Sequence, residues 1–186
     1  MSSLYEIFYE GKIPIPEKNK KNGRMVAFFV PGGAAAQLAQ KFDHFPGDGV
    51  AADDLHITLA LIKKGENEDV LKTLKHMAKH LKPFKVYVNG AGMFLPNKYN
   101  EFSHVLYAKP ESTMFDKIHK NLLRFLNNKK GVEADNGKHE FKPHITIKYC
   151  KKDHPPLDER GPWFTFDVDH LALADKGEKY IVKLGK

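Results

Sequence analysis

Cysteine is nearly absent from this chain of 186 residues, which has a single copy, Cys150. One cysteine cannot form an intramolecular disulfide, and by itself it cannot build a thiolate zinc site. No apolar run approaches the roughly 18 residues that a membrane-spanning helix requires. The first residues, MSSLYEIFYEGK, lack the basic start and the apolar core of a secretory signal. We therefore expect a cytoplasmic protein that does not contact membranes.

The phosphate-binding loops of common nucleotide enzymes are also missing. Neither a G-x-x-x-x-G-K-[ST] run nor a G-x-G-x-x-G run occurs, so an ATP-dependent ligase mechanism has no support. His76 and His80 have the spacing of helical metal ligands, but Met77 stands where a zinc protease would have glutamate. Neighbouring lysines favour a solvated basic face at these two histidines. The sequence therefore predicts neither a metal nor another cofactor.

Positive charge is in excess, with 30 lysine and arginine residues against 23 aspartate and glutamate residues and a net charge of +7. Such a surface favours anionic partners without identifying one. The chain also contains ten histidines, a residue type that titrates near neutral pH and serves as acid, base or metal ligand. We expect most of them to be structural, and the pattern around each decides which ones do chemistry.

Composition and apolar periodicity divide the chain into a leader or arm at residues 1–24 and one domain at residues 25–186. The leader is either solvated or helps to hold phosphate. Strands are predicted at residues 25–30, 55–62, 84–94, 102–108, 144–150, 163–173 and 179–184, the last two as a closing hairpin. Helices are predicted at residues 34–42, at 66–82, and after Ser112 or Thr113 with an apolar stripe from Phe115 to Leu126. Gly90 and Gly92 indicate a bend or bulge in the third strand.

Two predicted strands begin with the same short motif. His56-Ile57-Thr58 and His144-Ile145-Thr146 stand 88 positions apart, each after an apolar strand, a helix and a loop. This internal similarity suggests two related lobes that face one another. Because side chains alternate along a strand, each histidine shares a face with the threonine two residues later. Pseudo-symmetry would then gather two imidazoles and two hydroxyls around one cleft.

These four side chains suit the chemistry of a phosphodiester. One imidazole can act as the base for the attacking oxygen and the other as the acid for the leaving oxygen, each contributing about 10²–10⁴-fold. Two threonine hydroxyls can donate to the non-bridging oxygens as charge develops, where one well-placed donor is worth about 2.7–4 kcal/mol. Such a reaction requires no metal.

The two motif segments, LHITLALI and FKPHITIKY, resemble the paired His-x-Thr motifs of the two-histidine (2H) phosphoesterase superfamily. Residues 141–146 are most similar to the second motif of its LigT-like branch of RNA ligases and cyclic phosphodiesterases. The resemblance covers residues 25–186 and implies a bilobal, pseudo-two-fold α+β fold, with two mostly antiparallel sheets around a central cleft and helices outside. It implies that His56 and His144 are the acid–base pair and that Thr58 and Thr146 hold the phosphate. Which histidine is the acid stays open.

Two residues further along the second strand extend this prediction. Strand parity places Lys148 on the face of His144, where it would hold a phosphate oxygen or reach solvent. Tyr149 belongs to the other face, which favours packing, although a twist at the strand end would let it stack on a base. Cys150 ends the strand and is predicted to be a buried structural thiol.

The implied substrates are RNA ends with a 2′,3′-cyclic phosphate, 2′–5′-linked oligonucleotides, or cyclic nucleotides that act as signals. The loops at residues 44–54, 94–101 and 129–142 would select among them. A nucleotide- or RNA-binding module with little catalysis also fits the positive charge, although a pure binder does not need two acid–base imidazoles. A scaffold protein with accidental motifs is the weakest interpretation. We expect a monomer.

Overall fold

The computed structural model describes residues 12–14, 23–95, 104–135, 140–150 and 157–185. Its helices are α1 (Gly32–Lys41), α2 (Asn67–Ala78) and α3 (Phe115–Asn127). Its strands are β1 (Lys12–Pro14), β2 (Met25–Phe29), β3 (Asp48–Gly49), β4 (His56–Lys64), β5 (Phe84–Phe94), β6 (His104–Glu111), β7 (Glu133–Asp135), β8 (Ile145–Cys150), β9 (Asp158–Val168), β10 (His170–Asp175) and β11 (Glu178–Lys183). A 3-10 turn, Ala52–Asp54, precedes β4.

All strand pairing is antiparallel, and the long strands follow the spatial order β1-β11-β10-β2-β4-β8-β6-β5-β9. The first half of this order, up to β4, carries the first motif, and the second half, from β8, carries the other. Within the described residues, β4 and β8 pair at one position, Ile57 opposite Ile145, while β3 pairs with β8 and β7 pairs with β4. The α+β class is therefore confirmed, with the two expected sheets made continuous at the point where the motifs meet.

The helices cover one face of this sheet. Their apolar sides share one large core cluster with the strand residues that point toward them, including Val26 and Phe28 of β2. The alternate residues of β2 belong to a second, smaller cluster on the opposite face, formed by Met25, Ala27, Phe29, Ala172 and Ala174. Alternation along β2 therefore separates a helix-covered face from the opposite face, which we call the open face because no described helix packs on it.

The three predicted helices and most of the predicted strands are confirmed. The exception is the segment 163–173, which was expected to be one strand of a hairpin. The chain breaks at Asp169, so that β9 pairs with β5 at one end of the sheet while β10 pairs with β11 and β2 in the other half. The prediction was wrong because this break follows from pairing with distant strands, which the sequence does not show.

Pro162 stands directly before the segment 163–173 that was predicted as a strand, and it lies inside β9. Within the described residues, that strand is the last in the spatial order and pairs with β5 alone. A residue without an N–H group is tolerated there because one side of an edge strand has no neighbour to receive a hydrogen bond.

The predicted irregularity in β5 is confirmed. Pairing with both neighbouring strands shifts register near Gly90, which has a φ of 116°. A Cβ at this position would collide with the carbonyl oxygen of Glu159 on β9. Glycine is therefore required both for the backbone conformation and for the close approach of β9.

Candidate active site

The first motif begins directly after the 3-10 turn. The imidazole of His56 donates from Nδ1 to the carbonyl oxygen of Asp54 at 2.6 Å, and its ring centroid lies 5.5 Å from that of Phe29. Because a carbonyl only accepts hydrogen bonds, Nδ1 carries the hydrogen, and the Nε2 lone pair is the one left for chemistry. Thr58 Oγ1 donates to Met25 Sδ at 3.6 Å, a weak acceptor from which the hydroxyl is easily released.

The second motif repeats this arrangement. His144 donates from Nδ1 to the carbonyl oxygen of Lys142 at 2.8 Å, which is again the residue two positions earlier. The ring of Phe94 meets the imidazole edge to face with centroids 5.1 Å apart, and the ring of Tyr107 lies at 6.0 Å. Tyr107 also pairs across the sheet with Thr146. Aromatic side chains of β5 and β6 thus pack against this imidazole, and its bond to the Lys142 carbonyl fixes the same tautomer as in the first motif.

The structure brings the two motifs together at their central residues. Ile57 lies opposite Ile145 in the antiparallel pair, so the flanking histidine of each motif neighbours the threonine of the other. Both isoleucines are fully buried on the helix-covered side, while the histidines and threonines are partly exposed on the other side. The four predicted residues therefore share one patch of the open face.

Burial acts on both imidazoles in the same direction, whereas the charged groups around His56 act in both directions, since Asp54 raises its pKa and Lys179 lowers it. The largest cause is desolvation, which lowers the pKa of His56 and of His144 below the usual 6.5, and the hydrogen bonds to the carbonyls of Asp54 and Lys142 offset part of that effect. The pKa of His56 is lowered further by the nearby His144 and by Lys179. Both histidines are consequently neutral at pH 7 in the unliganded protein.

Lys179 is a site residue that sequence reasoning did not find. Its ammonium lies 2.7 Å from a carboxylate oxygen of Asp54, with both side chains about 5% exposed, and it donates to the Asp53 carbonyl. It also sits 4.3 Å from the Phe29 ring centroid. This buried ion pair fixes the turn from which the His56 imidazole is held, and removing one partner of such a pair costs about 3–5 kcal/mol.

Lys148 is placed differently from the phosphate-facing position that parity predicted. Its ammonium donates to the carbonyl oxygens of Asp43 at 3.0 Å and Phe45 at 2.7 Å, in the turn that follows α1. A register shift between β6 and β8 falls between Thr146 and Lys148. The described contacts of this lysine therefore hold a turn, and contact with phosphate stays a prediction.

Tyr149 and Cys150 come after the same register shift in β8. Tyr149 is 44% exposed instead of packed as alternation indicated, whereas Cys150 is 1% exposed. Burial raises the pKa of the Cys150 thiol, so the prediction of a buried thiol is confirmed. The exposed ring of Tyr149 leaves its base-stacking role as a prediction.

A cavity of about 930 Å³ borders the His56 side of the site. Phe29 and Lys179, which both adjoin the first motif, contribute to its wall together with Phe164, Phe166 and the first turn of α1. Its volume falls within the range of small-molecule binding sites, about 300–1,000 Å³. The cavity is thus large enough for a small organic ligand near Phe29 and Lys179, although none of the four motif residues lines it.

The remaining histidines of the described residues form no metal-binding group. His76 and His80 are exposed neighbours on and just after α2, with ring centroids 5.4 Å apart, as the basic face predicted. His139 and His154 lie outside the described residues. Across the described ranges, no group of three or more histidine, cysteine, aspartate or glutamate side chains is arranged to hold a metal ion. No helix in the described part of the chain has the length and apolar character needed to cross a membrane.

Comparison with known proteins gives a family and a fold. The family model of the 2′-5′ RNA ligase superfamily matches residues 30–179. No curated protein sequence matches the chain.

Solved structures resemble this one over most of its length. TT0787 of Thermus thermophilus is 22% identical, with a TM-score of 0.65 over 88% of this chain and 99% of that one. Escherichia coli LigT complexed with 3′-AMP is 22% identical, with a TM-score of 0.63 over 88% and 98% of the two chains. LigT complexed with NADP+ is 21% identical, with a TM-score of 0.60 over 87% and 94%. The likeness shows a shared α+β fold built on a mostly antiparallel sheet.

Proposed function

Since the chain belongs to the 2′-5′ RNA ligase superfamily, a group of two-histidine phosphoesterases, we propose that it is a metal-independent phosphodiesterase. Its substrates are 2′,3′-cyclic phosphates, 2′–5′-linked oligonucleotides or cyclic oligonucleotides. The observation that carries the proposal is the repeated geometry of His56 and His144. Each donates from Nδ1 to the carbonyl two residues earlier, which leaves two Nε2 atoms for acid–base work on one face.

Four side chains take part in the proposed reaction. One neutral imidazole takes the proton from the attacking water as its oxygen bonds to phosphorus. The other imidazole, in its protonated form, gives a proton to the ester oxygen whose bond to phosphorus breaks. Thr58 and Thr146 donate to the non-bridging oxygens, which gain charge in the transition state. Hydrolysis of a 2′,3′-cyclic phosphate in this way leaves a phosphomonoester and a free hydroxyl.

Two further observations support a nucleotide substrate. The net charge of +7 favours an anionic ligand, and the volume of the cavity beside Phe29 lies in the range of small-molecule binding sites. E. coli LigT has been crystallised with 3′-AMP and with ATP. These observations favour substrates with at least one nucleoside over small phosphodiesters.

One panel of substrates tests the proposal. It contains 2′,3′-cyclic mononucleotides, 2′–5′ oligoadenylate and cyclic dinucleotides, each incubated with wild type, His56→Ala and His144→Ala. We expect turnover of at least one class that is unaffected by EDTA, and a loss of about 10²-fold or more in each variant. His76→Ala, an exposed histidine on α2, is the matched control and should retain full activity.

The same panel distinguishes the alternative of a binding module with little catalysis, which the positive charge also favours. Tight binding of a nucleotide that stays intact after long incubation would support that alternative. Turnover that persists in both alanine variants, or that requires an added divalent metal, would contradict the two-histidine mechanism.

A further inference from the structure

A third histidine contacts the segment that carries the first motif. His119 lies on α3 and is 5% exposed. Its Nδ1 donates to the carbonyl oxygen of Leu59 at 2.7 Å. Leu59 directly follows Thr58, so the bond fixes the main chain of β4 next to the predicted phosphate-holding hydroxyl. The acceptor is a carbonyl, and Nδ1 of His119 therefore carries the hydrogen.

The ring of the same histidine contacts the segment that carries the second motif. It stacks on the ring of Phe141 with centroids 3.8 Å apart and an interplanar angle of 6°. Phe141 stands three residues before His144, and Lys142 between them supplies the carbonyl that holds the His144 imidazole. The side chain of His119 therefore contacts one residue close to each motif, Leu59 after the first and Phe141 before the second.

This double contact matters because the strand pairing between β4 and β8, the two motif strands, is short. Within the described ranges, β4 and β8 share only the pair Ile57–Ile145, whereas β6 and β8 share five pairs. With one pair, β4 and β8 are held to each other less tightly than β6 and β8, and a pivot between them would change the separation of the imidazoles. A packed side chain that contacts both segments opposes that pivot.

We propose that His119 is a positioning residue that sets the distance between the two motif histidines. The inference rests on the proposed phosphodiesterase function. Acid and base must both reach the reacting phosphate, and a displacement of about 1 Å can cost as much as 10²-fold in rate. Loss of the two contacts of His119 should therefore lower kcat by about 10- to 100-fold and leave KM nearly unchanged, since the groups that bind the substrate remain.

Two variants separate the two contacts of His119. His119→Phe keeps an aromatic ring against Phe141 but removes the donor to Leu59, and His119→Asn keeps a donor close to the position of Nδ1 but removes the ring. We expect each to lose kcat, with a smaller loss for whichever variant keeps the stronger contact. His104→Phe is the matched control, because His104 is 7% exposed and pairs with Cys150 at the far end of β8.

The readouts are kcat, KM, the melting temperature, and the imidazole NMR signals of His56 and His144. In the His119 variants these two sets of signals should shift, whereas in His104→Phe they should remain where they are in wild type. If His119→Asn does not fold, Phe141→Leu gives the same test, since it removes the stack and leaves the bond to Leu59.

Two results would overturn the proposal. One is wild-type kcat and unshifted His56 and His144 signals in a folded His119 variant. The other is an equal loss of kcat in His104→Phe at the same melting temperature, which would indicate a general effect of stability. Should wild type fail to turn over every substrate in the panel, the proposed function fails, while the NMR comparison still decides whether His119 positions the two imidazoles.

Discussion

At the scale of single residues, burial governs the chemistry of the two motif histidines. Both imidazoles lie on a partly enclosed face, and desolvation disfavours their charged forms. For His56, the positive charge of Lys179 acts in the same direction. The proposed reaction needs one neutral and one protonated imidazole. In this site the pKa of both imidazoles is lowered, so both lose their protons easily.

The pH dependence of kcat/KM follows from these shifts. The form of the pair that holds one proton is most abundant between the two pKa values, and both values lie below 6.5. As pH rises above that window the acid loses its proton, and as pH falls below it the base gains one. We expect a bell-shaped profile of kcat/KM, measured from about pH 4 to 9, with its maximum below pH 6.5. A maximum at about pH 7.5 or above would contradict the assignment.

The sequence predicted the residues of the two motifs but not those that support them. His-x-Thr is visible because its members are neighbours in the chain and share a strand face. Lys179 meets Asp54, and His119 meets Leu59, across separations of 125 and 60 residues. No local pattern encodes such contacts, since they depend on how β11 and α3 are placed by packing. Lys148 shows the converse. Strand alternation predicted that its side chain faces the phosphate, but a register shift in the pairing of β6 with β8 interrupts that alternation.

At the scale of elements, glycine controls the course of β5. Gly90 combines a positive φ with close contact to the Glu159 carbonyl, and the register of β5 shifts on both sides at this point. The irregularity lets β5 continue to Phe94, whose ring packs against His144. A local backbone feature thus contributes to the shape of the site.

Substitution of this glycine should be costly. We expect Gly90→Ala to lower the free energy of unfolding by at least about 1–3 kcal/mol, because alanine disfavours the positive φ and its Cβ meets backbone. Gly33→Ala is the control: Gly33 lies in α1, where an added Cβ would meet no other atom within 4 Å, so stability should be unchanged or rise by up to about 1 kcal/mol. Urea unfolding of the three proteins makes the comparison, and equal stability of Gly90→Ala and wild type would refute it.

Element types were predictable where periodicity is strong, as in α3 and β5. The short strands β3 and β7 were not, because two or three residues carry no pattern and become strands only by pairing with β8 and β4. The division of residues 163–173 between β9 and β10 likewise depends on partners in opposite halves of the sheet.

At the scale of the whole molecule, one core joins the two halves. The same apolar cluster contains Val26 and Leu173 from the first half and Val86 and Leu106 from the second. The sheet itself continues from one half to the other at Ile57. Halves that share a core cannot lose their packing independently.

Unfolding should consequently be a single cooperative transition. Trp163, the one tryptophan of the chain, lies on β9 against Phe42 and reports on the second half. We expect its fluorescence and the far-UV circular dichroism to give the same melting temperature. Leu173→Ala, a fully buried change in the first half, should lower both by the same amount, through a loss of about 2–5 kcal/mol. Separate transitions would show that the halves unfold as two units.

The matching hydrogen bonds of His56 and His144 have one more consequence. Each imidazole is held by the carbonyl two residues before it, and each presents the same nitrogen to the open face. For the proposed reaction, the group that removes a proton while a linkage is cut is the group that returns it when the linkage is made. The proposed site therefore catalyses the reaction in both directions. The concentrations of water, free hydroxyl and phosphate ester decide whether a bond to phosphorus is broken or formed.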